Sequence, residues 1–239
     1  MKNSIIGSKM YSPNIEMLQI VANGLGELKE DVVFIGGAVA ELYATEPTVS
    51  DIRPTLDVDC IIRLTSRVEY PNLEERLRNR TFSHDQSEGA PICRWIYKGI
   101  KVDVMPTDKS ILGFSNIWYD EGIDNRIDKL LPDGNKIYIF KPEYYLASKF
   151  EAHKHRGGND LRQSHDFEDI IYIVDNLRGV LKIIKEANEN VKVYLKAEFD
   201  NLQKNDSLNE AIESALPYGS TGPRIDSAKT IIGDISNLE

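Results

Sequence analysis

Asp57-Val58-Asp59 is where this chain most readily offers chemistry, because side chains at i and i+2 of a strand project from one face. Two carboxylates aimed the same way repel unless a cation lies between them, and hard oxygen donors suit Mg²⁺, with Mn²⁺ as its substitute. On its own an Asp-x-Asp is more often a solvated acidic pair. Here Leu56, Val58, Ile61 and Ile62 surround it, so the acids interrupt an apolar run, a placement that asks for a partner. Asp103 repeats the pattern between Val102 and Val104, which take the opposite face of their strand. A third carboxylate is what two-metal phosphoryl transfer needs near the attacking hydroxyl, and Asp103 is the candidate to help deprotonate it. Gly36-Gly37, between a strand-like run and a helical one, lets backbone N–H groups approach an anion. Its spacing fits neither a dinucleotide fingerprint nor a P-loop lysine motif, so another phosphate reader is needed.

These residues must be positioned by surrounding elements, and the hydrophobic periodicity says which. A helix is expected over residues 14–28, then a buried strand over 32–35 stopped by the diglycine, and a helix over 38–44. A loop at 45–55 with Pro47 and Pro54 leads to a strand at 56–64 carrying the acid pair, followed by a surface helix at 67–80. Residues 92–96 and 102–105 have the form of two hairpin strands around Lys98-Gly99. Residues 131–135 read as a turn, 136–140 as the last strand, and the segment around Trp118 lacks a clear pattern. From Pro142 onward the signals are helical: 143–155, 164–176, 180–188, 191–203 and 225–237. The expectation is an α/β (α+β) fold, with a small mixed sheet and flanking helices in residues 1–140 and a helical domain in 141–239.

Charge and composition narrow the partners. The formal net charge of -9 disfavours a broad electrostatic grip on nucleic acid, so any such contact must be local. Lys141, Lys149, Lys154, Arg156 and Arg162, with His153, His155 and His165, form a locally cationic stretch that a solvated helix face also explains. Within it Tyr145, Lys149, His153 and Arg156 share one helix face. Opposite them, Ser164 is a plausible N-cap, and Asp166 and Asp169 flank an apolar stripe and are expected to be partly buried. Asp166 is therefore expected to orient Lys149 or Arg156, in a phosphate site or in a purely structural ion pair. The histidines lack metal-ligand spacing and receive no role as base. Cys60 and Cys93, each inside an apolar run, read as small buried hydrophobes. No apolar stretch approaches the ~20 residues of a membrane span and residues 1–12 hold no secretory core, so a cytoplasmic location without membrane contact is expected.

Taken in order, the strand, the diglycine turn, the Asp-x-Asp strand and the later single Asp resemble the nucleotidyltransferases of the polymerase-beta-like superfamily. More narrowly, Phe34-Ile35-Gly36-Gly37-Ala38-Val39-Ala40, Arg53-Pro54-Thr55-Leu56-Asp57-Val58-Asp59, Lys149-Phe150-Glu151-Ala152 and Ser164-His165-Asp166-Phe167-Glu168-Asp169 look like the AbiEii-type toxin nucleotidyltransferases. The likeness spans residues 31–175. It implies a nucleotidyltransferase sheet, Mg²⁺ at Asp57, Asp59 and Asp103, a triphosphate backed by Gly36 and Gly37 and touched by Lys149, and Arg53 facing the site. It further implies transfer of a nucleoside monophosphate from an NTP such as ATP to an RNA end, a protein or a small molecule, and, for a toxin, an antitoxin partner. One departure stands out: toxin members commonly show Arg-x-Lys before the Asp-x-x-Asp, whereas Gln163 and His165 occupy those places here.

Other readings make different demands. A glycosyltransferase using Asp-x-Asp for a nucleotide sugar would leave Gly36-Gly37, Asp103 and Lys149 unexplained. A noncatalytic nucleotide- or partner-binding module would not require all three acids. An aminoglycoside-type enzyme differs only in its small-molecule acceptor.

Overall fold

The computed structural model describes residues 11–46, 52–64, 66–156 and 160–238. The chain enters through helix α1 (Pro13–Leu25), capped by the Ser12 hydroxyl, which accepts from the Ile15 amide at 3.2 Å. A 3₁₀ turn, Gly26–Glu30, completes the expected first helix and leads into β1 (Val32–Ile35), buried on both faces. After Gly36 the chain forms a 3₁₀ helix, Gly37–Tyr43, where an α-helix was expected. Part of the expected proline loop, residues 47–51 with Pro47, lies outside the described residues, as do residues 1–10.

The acid pair sits on β2 (Asp57–Ile62), which begins one residue later than expected. Leu56 is 83% exposed and belongs to the approach loop, so it is not part of the apolar surround predicted for the pair. Helix α2 (Glu69–Asn79) follows, then β3 (Ser83–His84), β4 (Arg94–Tyr97) and β5 (Ile100–Pro106). Lys98 and Gly99 take φ of 49° and 81°, the two-residue hairpin geometry whose twist matches that of the strands. Two short helices, α3 (Lys109–Leu112) and α4 (Tyr119–Asp124), occupy the segment that had no legible pattern. The hairpin β6 (Arg126–Leu130) and β7 (Lys136–Phe140) ends the sheet.

The strand order is β3-β4-β5-β2-β1-β7-β6, with β2 parallel to β5, β1 parallel to β7, and the remaining neighbours antiparallel. The sheet is mixed, and its last residue, Phe140, falls where the composition changes. The chain then runs through α5 (Pro142–Arg156), α6 (His165–Asn176), α7 (Val180–Lys185), α8 (Glu189–Gln203), α9 (Leu208–Ala215) and α10 (Gly222–Ser236). The result is an α+β fold. One contiguous core runs from Ile15 to Leu238, with Tyr144, Tyr145 and Leu146 of α5 and Phe167 and Ile170 of α6 joining sheet and helices. Cys60 and Cys93 are buried free thiols, as their apolar surroundings predict. No helix among the described residues is long and apolar enough to cross a membrane.

Candidate active site

Register places the acids. Parallel pairing sets Asp59 beside Asp103, and antiparallel pairing sets Arg94 beside Asp103, so β2, β5 and β4 present acid, acid and arginine at one level of one face. Asp57, two residues before Asp59, joins them. One carboxylate oxygen from each of Asp57, Asp59 and Asp103 lies within 4.8 Å of the others. This all-carboxylate donor set, gathered from two neighbouring strands, fits a hard divalent cation such as Mg²⁺.

Gly36 closes one side. The β1–β2 register pairs Ile35 with Asp59, so the residue that follows β1 turns directly against that carboxylate. Gly36 has φ 76° and ψ -169°, a region open essentially only to glycine, and a Cβ there would stand 2.0 Å from an Asp59 oxygen. Its carbonyl accepts the Tyr145 hydroxyl at 3.1 Å, tying the turn to α5. Buried Asn14 on α1 secures the approach to β2: its amide donates to the Arg53 carbonyl and its oxygen accepts from the Thr55 amide, each at 3.0 Å. Thr55 in turn donates its hydroxyl to Asp57 at 2.9 Å.

The trio is electrostatically uneven. Arg94 forks onto Asp103, with Nε and Nη2 donating at 2.8 and 2.7 Å, and Nη2 also reaches Asp57 at 3.3 Å. The neighbouring carboxylates raise the Arg94 pKa still further above its ordinary value. Among the described residues Asp59 has no such clamp. Burial, then the charge of Asp57, push its carboxyl up to about 7; Asp103 adds to the rise, and Lys149 and Arg156 oppose it. A carboxylate held so far up among like charges is one that a cation would stabilise.

Across the cavity, α5 and α6 supply a second charged layer. Lys149 is buried, with Nζ 2.6 Å from Asp169 and 3.3 Å from Asp166. Asp166 and Asp169 are buried more completely than the partial burial expected, and the closer partner of Lys149 is Asp169. Arg156 reaches Asp166 only at 3.9 Å, and its side chain is 74% exposed. Arg53 lies 2.9 Å from Glu168 and 3.3 Å from Asp169. Ser164 caps α6, accepting from the Phe167 amide at 3.2 Å, and its hydroxyl is 2.7 Å from His153 Nδ1. His165 lines the cavity beside Glu168, while His155 is exposed and hydrogen-bonded to the Glu151 carbonyl.

Gly36, Gly37, Arg53, Asp57, Asp59, Asp103, Lys149 and Asp166 thus all line one cavity of about 410 Å³ between the sheet and α5–α6. The predicted cationic stripe does not form a uniform face: Lys149 is neutralised by buried acids, His153 is half-buried with its pKa lowered chiefly by burial, and Arg156 projects outward. Sequence reasoning passed over Arg94, Thr55 and Asn14. For Arg94 a signal existed, since a two-residue turn at Lys98-Gly99 pairs Tyr97 with Ile100 and, counting outward, Arg94 with Asp103. Nothing local in sequence marks Asn14, whose partners lie 39 and 41 residues away. The chain matches no protein-family model and no curated protein.

Proposed function

We propose that this protein is a divalent-metal-dependent nucleotidyltransferase that moves a nucleoside monophosphate from an NTP to an acceptor hydroxyl. The observation that carries this reading is the convergence of Asp57, Asp59 and Asp103 within 4.8 Å, beside a glycine turn that admits no side chain. Divalent ions held by the trio would neutralise charge developing on the phosphates. The acceptor oxygen attacks the α-phosphorus in line, the bond from that phosphorus to the bridging oxygen breaks, and pyrophosphate leaves with the electron pair. Asp103 is assigned the proton of the attacking hydroxyl.

The chain's own residues position the nucleotide. Arg53, Arg94 and Lys149 each stand within 3.3 Å of a carboxylate, whereas Arg156 touches its acid only at 3.9 Å. Arg156 is therefore the first triphosphate contact in this reading. Lys149, with a third ammonium donor beyond its two carboxylate partners, is the second. Gly36 and Gly37 let the phosphates approach the backbone. The acceptor is an RNA end, a protein side chain or a small molecule; a toxin role would add an antitoxin protein as partner.

The test is incubation with each α-labelled NTP and Mg²⁺ against separate RNA, protein and aminoglycoside pools, with Asp59→Ala alongside. Label entering one pool and at least about a hundredfold less with Asp59→Ala is expected, the scale on which transition-state electrostatic contacts act. Equal labelling by the variant would reject the assignment of the trio, and no label in any pool would reject the transfer reaction.

A further inference from the structure

Among the described residues, Arg94 is the one lining cation whose partners are the proposed ion ligands themselves. Its fork engages both oxygens of Asp103 at 2.8 and 2.7 Å and one oxygen of Asp57 at 3.3 Å, from a side chain only 19% exposed. The contact is built into the sheet, since Arg94 and Asp103 are register partners across the β4–β5 hairpin. A guanidinium is planar, permanently charged and weakly hydrated, so this is a durable ion pair rather than a transient surface one. A divalent ion shared by the trio would draw on the same oxygens and would face the fixed positive charge of Arg94.

We infer that Arg94 is an internal counter-cation that competes with divalent ions for Asp57 and Asp103, and so sets the ion concentration at which the site loads. Asp59, which Arg94 does not bond, is then the first carboxylate an ion engages, and Asp103 joins after its fork to Arg94 opens. Arg94 is a positioning residue in this scheme: it governs when Asp103 becomes available. The inference rests on assigning the trio to divalent ions but not on the transfer reaction.

The experiment measures Mn²⁺ binding directly, by the free-ion electron paramagnetic resonance signal, on the full chain without nucleotide. Arg94→Gln is expected to bind Mn²⁺ about tenfold or more tighter than wild type, the scale of one unit charge removed at short range. Arg94→Lys retains the charge and is expected to stay within about threefold of wild type. A purely structural arginine would give the opposite order, with Arg94→Gln binding more weakly because the acids splay apart. As a check needing no folded Gln variant, the wild-type Arg94 side-chain ¹⁵Nε resonance, identified by its loss in Arg94→Lys, is expected to shift on Mg²⁺ titration. Binding to wild type that Arg94→Gln leaves equal or weaker, or an unmoved resonance at saturating Mg²⁺, overturns the role of Arg94 alone. Absence of Mn²⁺ binding in every form overturns it together with the ion assignment.

Discussion

Asp59 and Asp103 are adjacent on neighbouring strands, yet they occupy different electrostatic worlds, because Arg94 reaches one and not the other. For Asp59 the folded pKa, about 7, lies above that of an unfolded aspartate. The native state therefore keeps a proton that the unfolded chain has already given up. On that sign, the contribution of Asp59 is harmless at about pH 4, becomes increasingly destabilising as the pH climbs to about 7, and is constant above. In chelator, Asp59→Asn is expected to raise the melting temperature at about pH 8 while leaving it nearly unchanged at about pH 4. Melting curves at the two pH values decide it; an Asn variant less stable than wild type at the higher pH would show that Asp59 already has a compensating partner.

Helices α5 and α6 meet over the cavity through a buried ionic contact rather than through apolar packing alone. Lys149 on α5 faces Asp166 and Asp169 on α6, and each of the three is less than a tenth exposed. Removing the cation would leave each buried carboxylate with a single, more distant arginine, Arg53 at 3.3 Å from Asp169 and Arg156 at 3.9 Å from Asp166, an outcome costlier than the pair is worth in isolation. Lys149→Met, which keeps the stem volume, is expected to lower unfolding free energy by about 3–5 kcal/mol, read from denaturant midpoints. A loss of nucleotide affinity with unchanged stability would instead make Lys149 a ligand contact and nothing more. The double variant Lys149→Met with Asp169→Asn should recover part of the loss, because one of the two buried charges is gone.

Across the whole molecule the sheet and the later helices share one hydrophobic core, so the change in composition near residue 140 separates regions of secondary structure that remain packed together. The two tryptophans sample both regions: Trp95 lies on β4, and Trp118 packs its ring against Tyr144 of α5 and Tyr194 of α8. Single-tryptophan variants are expected to report the same denaturant midpoint, coincident with the loss of helical circular dichroism. Separate midpoints would mean that the helical region unfolds on its own. The net charge of -9 acts at this scale too, disfavouring a broad electrostatic grip on nucleic acid.

From residue types and periodicity alone came the buried β1, the diglycine stop, the acid-bearing strand, the β4–β5 hairpin and most later helices, because burial on one face or both leaves a repeat of two or 3.6 that local reading detects. The edge strand β6 escaped, since its residues alternate between exposed and half-buried with little apolar signal, and α9 escaped although Leu208, Ala211 and Ile212 carry helical spacing. The i, i+2 geometry of a strand also determined that Asp57 and Asp59 share a face. Only the tertiary structure decided that Asp103 stands beside Asp59, that Arg94, whose pairing with Asp103 the hairpin turn already implies, also reaches Asp57, and that Asp169 is the nearer anchor of Lys149. Those facts depend on which strands become neighbours and how helices cross, and such long-range choices leave no periodic trace in the chain.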